Sequence, residues 1–154
     1  MKAQIFIMED NEFYFETIKE VLERMSLTFY PSSRDEFYQL RRLLCRTFFS
    51  AIDSIKKESR EEILQILENN TDKKTTFLVT CCLGENQEPT LEGLVLYEMF
   101  TKYSEKTIII SSTTSLEEVK TIENFCEKNT NCFLFRKSKN SIQKELAGYL
   151  QVLQ

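Results

Sequence analysis

The sequence predicts an α/β fold, a doubly wound five-stranded parallel sheet in a single domain spanning residues 1–154. Three observations carry that expectation. Short apolar runs alternate along the chain with stretches whose apolar residues recur at helical spacing. The first of these runs, Ala3 to Met8, is apolar except for Gln4, as in a central strand covered on both faces. Length and composition agree, since 154 residues, 42% hydrophobic and 29% charged, suffice for one self-supporting core. Strands that alternate with helices connect by right-handed crossovers, which places helices on both sides of the sheet.

The elements follow in order. Ala3 to Met8 forms the first strand. A helix runs from about Glu12 to Met25, with Ile18, Val21, Leu22 and Met25 along one stripe. Leu27 to Tyr30 forms a short second strand, stopped by Pro31-Ser32-Ser33. From Asp35 the chain reads helical through Leu40, Leu43, Leu44, Phe48, Ile52 and Ile55. Ser59-Arg60-Glu61-Glu62 is a capping box, in which Ser59 and Glu62 satisfy each other's free backbone donors. It predicts a further helix start, carrying Ile63, Ile66 and Leu67 and stopping near Asn69-Asn70. Thr76 to Thr80 forms the third strand, and Leu94 to Tyr103 a helix. Thr107 to Ser111 forms the fourth strand, and a second capping box at Ser115 opens a helix bearing Val119, Ile122 and Cys126. Cys132 to Arg136 is the fifth strand, and Ile142, Leu146, Tyr149, Leu150 and Leu153 mark the last helix.

Composition excludes several functions. The chain has no His, which removes imidazole bases, His-based phosphoryl relay within this chain, and most zinc and haem sites. Twenty basic residues against 24 acidic ones give a net charge of −4, which argues against nonspecific nucleic-acid binding. The apolar start is too short for a signal peptide, and no stretch approaches the length of a membrane helix. A cytoplasmic protein without membrane attachment is expected. Five cysteines without a CxxC, an odd number, suggest reduced thiols. The adjacent Cys81 and Cys82 point to opposite faces if they continue a strand, which favours structural thiols over a metal site.

In doubly wound sheets, chemistry sits at the carboxyl ends of the strands. Glu9-Asp10-Asn11 follows the first strand; such a pair of carboxylates either coordinates a hard divalent cation or forms a solvated loop that caps the next helix. Thr80-Cys81-Cys82-Leu83-Gly84 follows the third strand, Ser111-Ser112-Thr113 the fourth, and Arg136-Lys137-Ser138 the fifth. Acid, hydroxyl and base thus meet along one sheet edge.

At these strand ends the sequence resembles the response-regulator receiver domain, the CheY-like phosphoacceptor fold of flavodoxin-like topology. The resembling segments are IFIMEDNE (5–12), FLVTCCLGENQEPTLEGLVLYEMF (77–100), TIIISSTT (107–114) and FLFRKS (133–138). In that family, an acidic pair and an acceptor aspartate bind magnesium, while a hydroxyl and a lysine contact the aspartyl phosphate. The resemblance implies Glu9 and Asp10 for the acidic pair, and Ser112 for the hydroxyl, or Ser111 if the strand ends earlier. It implies Lys137 for the lysine, or Arg136 if the register slips by one. The acceptor position falls on Thr80, or on Cys81 after a one-residue slip, and neither is a carboxylate. The proline that usually follows the lysine is replaced by Ser138. With 69 residues between Asp10 and Thr80, the chain also exceeds an ordinary receiver, and the excess is expected as a helical insertion over about 35–70.

The resemblance therefore implies a degenerate receiver of two-component-type signalling. It would be no enzyme, acting through protein–protein contact on the face of residues 115–154, with a second copy of the chain as one partner. Magnesium at Glu9 and Asp10 is expected to be weak, and no other cofactor is implied. Two further readings come from the residues themselves. Cys81 or Cys82 beside Lys137 would make a reactive thiol, because a cation lowers a thiol pKa. Arg41, Arg42 and Arg46 would dock an acidic protein surface or, less in keeping with the net charge, a nucleic acid from a basic amphipathic helix over 41–57, unless its apolar side simply covers the domain's own sheet.

Overall fold

The computed structural model describes residues 2–80, 105–112, 116–129 and 131–153. Five parallel strands form one sheet: β1 (Ile5–Met8), β2 (Phe29–Tyr30), β3 (Thr76–Thr80), β4 (Lys106–Ser111) and β5 (Cys132–Arg136). Their order is β2-β1-β3-β4-β5, the doubly wound, flavodoxin-like arrangement. Five helices accompany them among the described residues: α1 (Glu12–Arg24), α2 (Arg34–Phe49), α3 (Asp53–Asn70), α4 (Leu116–Lys128) and α5 (Lys139–Leu153).

Strand alternation divides the core into two sides. Ile5, Ile7, Leu78, Ile108, Ile110 and Phe135 face α1 and α5, where they meet Phe15, Ile18, Leu22, Ile142, Leu146 and Leu150. Phe6, Met8, Phe77 and Val79 face α2 and α3, against Leu40, Leu43, Leu44, Ile63 and Leu67. A smaller third cluster, built on Ile109, Ile122 and Cys132, belongs to α4. Each large aliphatic or aromatic side chain buried this way contributes roughly 1.5–3 kcal/mol. Phe37, from the first turn of α2, reaches round to stack on Phe15 of α1, with ring centroids 4.5 Å apart.

The middle of the chain departs from expectation. The helix begun near Asp35 does not continue to Ile55; it ends at Phe49, and Ser50-Ala51-Ile52 separate it from α3. Ser59 does not open a helix. It lies inside α3, buried, because Lys56, Lys57 and Glu58 before it are good helix formers and the capping-box residues are compatible with a helix interior. The start at Asp53 is preceded by Ile52, which supplies no side-chain cap and is exposed. The basic stretch over 41–57 is therefore two elements, with Arg41, Arg42 and Arg46 on α2 and Lys56 and Lys57 on α3. The first strand begins at Ile5 rather than Ala3, and β2 is cut to two residues, since only Phe29 and Tyr30 stand beside Ile5 and Phe6. The expected helix over 94–103, the turn at Leu83-Gly84 and the cap at Ser115 lie outside the described residues.

Candidate functional site

Residues at the carboxyl edge are positioned by register. Met8 pairs with Val79, so one step further brings Glu9 beside Thr80. Ser111 pairs with Arg136, and the Lys137 amide donates to the Ser111 carbonyl at 2.7 Å, which extends the β4–β5 ladder by one residue. Glu9 shares the parity of Ile5 and Ile7, Thr80 that of Leu78, and Lys137 that of Phe135. All three therefore belong to the side of the sheet covered by α1 and α5.

They meet there out of water. Glu9 is 3% exposed, Thr80 2% and Lys137 7%. Lys137 Nζ donates to Glu9 Oε1 in a short charge-assisted contact. The Thr80 hydroxyl donates to the same oxygen at 2.8 Å, and Lys137 Nζ also lies 3.3 Å from Thr80 Oγ1. The second carboxylate oxygen, Oε2, accepts the Asn11 backbone amide at 3.1 Å. Asn11 is the N-cap of α1, its side chain accepting from the Tyr14 amide. Tyr14 then lays its ring beneath the ammonium, 4.3 Å from Nζ to the ring centroid. Burial pushes the Glu9 carboxyl above its ordinary range, although the Lys137 charge, the Asn11 amide and the Thr80 hydroxyl all pull it back.

Compared with known protein families and with curated proteins, the chain matches none.

The remaining sequence-derived candidates fall elsewhere. Arg136 points away from Glu9 and pairs with Glu123 at 3.6 Å on the exposed side, so the register brings Lys137, not Arg136, to the acid. Ser111 is the buried last residue of β4, and Ser112, exposed, is the first beyond it. Asp10 is half-buried and has the opposite parity to Glu9. Cys81 and Cys82 lie outside the described residues. On α2, Arg42 and Arg46 are exposed, while the guanidinium of Arg41 stands 5.7 Å from the Tyr38 ring centroid. The apolar side of that helix (Phe37, Leu40, Leu43 and Leu44) is covered by the protein's own core, which leaves Arg42 and Arg46 on a solvated back. Sequence reasoning missed Asn11 and Tyr14 as site residues. Tyr14 carried a readable signal, an aromatic one turn into the helix that begins at an acidic strand end.

Among the described residues, few oxygen donors at this edge are left for magnesium. A hard dication needs several oxygen ligands, and no cluster of three acids or thiols able to hold a metal exists among the described residues. The Glu9 carboxylate already serves an ammonium, a hydroxyl and an amide. Nor is any helix among the described residues long and apolar enough to cross a membrane.

Proposed function

We propose that this chain is a degenerate receiver, a signalling module that works by contact with a protein partner, has no phosphoryl-transfer or other enzymatic activity, and acts in the cytoplasm. One observation carries the proposal: Thr80, a neutral hydroxyl, tops the middle strand between Glu9 and Lys137. Aspartyl phosphotransfer needs a carboxylate oxygen at that point to attack phosphorus and form an acyl phosphate. Thr80 offers none, and its proton is directed at Glu9. The doubly wound strand order and the lysine after β5 support the receiver framework in which that position has meaning.

A conformational signal without phosphoryl charge must come from a partner that binds two states unequally. The β5 border of the sheet, flanked by α4 on one side and α5 on the other, is the proposed docking surface. Leu116 at the start of α4 and Val152 near the end of α5 are both large, apolar and strongly exposed, at 74% and 85%. Incubation with acetyl phosphate or phosphoramidate and magnesium, followed by intact mass, tests the proposal. No adduct is expected. A hydroxylamine-sensitive phosphoryl adduct on this chain would overturn it.

A further inference from the structure

Among the described residues, a small hydrophobic cluster lies where α4 packs on β4 and β5, and it holds a pair of cysteines. Ile109, Ile122 and Cys132 are buried there, with Phe125, Cys126 and Leu134 packed against them. Between α4 and β5 the chain passes through Asn131, whose φ of 62° is a left-handed turn that asparagine tolerates better than most residues. The reversal lays Cys126, near the end of the helix, against Cys132, the first residue of the strand. Their sulfurs are 3.1 Å apart. Closing that distance to the roughly 2.0 Å of a disulfide asks for a shift of about an ångström.

The geometry points to Cys126 and Cys132 as a reversible disulfide site, closed by a hydroperoxide and reopened by a dithiol reductant. Access and reactivity differ between the two sulfurs in the way such a site requires. Cys126 is half-buried and reachable from solvent, whereas Cys132 is buried behind it. The hydrogen bond with Cys132 holds the Cys126 thiol below its ordinary range, outweighing burial and the nearby Glu123 carboxylate. Cys126 is therefore the attacking sulfur and Cys132 the resolving one.

With hydrogen peroxide, the Cys126 thiolate attacks one peroxide oxygen and breaks the O–O bond. It becomes a sulfenic acid, and the departing hydroxide takes a proton to leave as water. The Cys132 sulfur then attacks the sulfenic sulfur, loses its thiol proton and expels a second water. Two thiols and one peroxide give one disulfide and two waters, with sulfur losing two electrons and the peroxide oxygens gaining them. The new bond would staple α4 to β5 at the amino edge of the strand, at the opposite end of β5 from Lys137. A pair that stays reduced until an oxidant arrives suits a compartment where thiols are normally kept open.

Peptide mapping of the full chain tests this without relying on any variant to fold. Lys128 lies between the two cysteines, so trypsin separates them onto peptides 121–128 and 129–136. After hydrogen peroxide treatment and alkylation, those two peptides are expected as the main cross-linked product, two hydrogens lighter than their sum and released by dithiothreitol. Cys45→Ser should leave that product unchanged, and Cys132→Ser should halt Cys126 at the sulfenic acid. Three outcomes would overturn the inference: Cys126 reaching sulfinic acid with both peptides unlinked, disulfides through other cysteines forming in preference, or neither sulfur reacting under peroxide that oxidises Cys45.

Discussion

Lys137, one residue past β5, hands its ammonium to the carboxylate of Glu9, one residue past β1, across the two strands that separate them. The partners are 128 residues apart in sequence and nearly out of contact with water. Desolvating two charges costs several kcal/mol each, and only mutual attraction plus full hydrogen bonding offsets it. Here Thr80 and the Asn11 amide complete the bonding. On that balance the intact pair adds little net stability.

Breaking one side of that pair should therefore cost far more than removing all of it. Lys137→Met or Glu9→Gln alone is expected to lower unfolding free energy by about 3–5 kcal/mol, because each strands a buried charge. The triple variant Glu9→Met, Thr80→Val, Lys137→Met should recover most of that loss. Urea unfolding of the four proteins is the measurement. A triple variant no more stable than the singles would contradict this account.

The sign of the pH dependence follows from Glu9. Its carboxyl is pushed up in the folded state by burial, so the folded protein keeps a proton at pH values where the unfolded chain has lost it. Its contribution is thus most favourable below the ordinary glutamate range and is lost as pH rises through the raised folded value. In Lys137→Met the opposing ammonium is gone, so the decline should extend to higher pH. Each such proton gives a slope of at most about 1.4 kcal/mol per pH unit. Denaturant titrations carried upward in pH from the ordinary glutamate range would compare the two proteins.

Placing an acid at the top of β3 should create a need for a cation. Thr80→Asp sets a second carboxylate beside Glu9, and one ammonium cannot neutralise both. A loss of about 1–3 kcal/mol is expected without metal, with much of it regained in millimolar magnesium. The wild-type melting temperature should not respond to magnesium. Thermal melts with and without the ion, each with a chelator control, decide it.

Ser59 separates two accounts of the helices that follow β2. As an N-cap, its replacement by alanine would cost about 1 kcal/mol. As an interior residue of α3, Ser59→Ala should change stability by no more than about 0.5 kcal/mol in either direction. Ser59→Leu at the same buried point should cost about 1–3 kcal/mol through overpacking. Unfolding curves for the two variants suffice.

How far the sequence reveals these features depends on how local each one is. β3 falls where the apolar run Thr76–Thr80 places it, because a strand buried on both faces writes its length directly into hydrophobicity, and β5 likewise matches its run Cys132–Arg136 although it is a border strand with Phe133 and Leu134 only partly buried. The break at Ser50-Ala51-Ile52 leaves no such mark, since the apolar spacing runs through it unbroken. At the site, the strand-end rule singles out Glu9, Thr80 and Lys137 individually. Their mutual bonding was not legible, because it depends on residues 71 and 128 positions apart sharing one side of the sheet. The choice of Lys137 over Arg136 depends on a single step of alternation, which no composition argument fixes. Asn11 acts on Glu9 through its backbone amide, for which side-chain chemistry gives no signal.

The brevity of β2 makes the sheet lopsided at its margins. One border offers a two-residue rung followed at once by Pro31, which lacks an N–H to donate, and so it is a poor template for another strand. The opposite border is the five-residue β5. Any polypeptide that lengthened this sheet would therefore have to do so alongside Cys132–Arg136, on the flank whose first residue is one of the paired sulfurs.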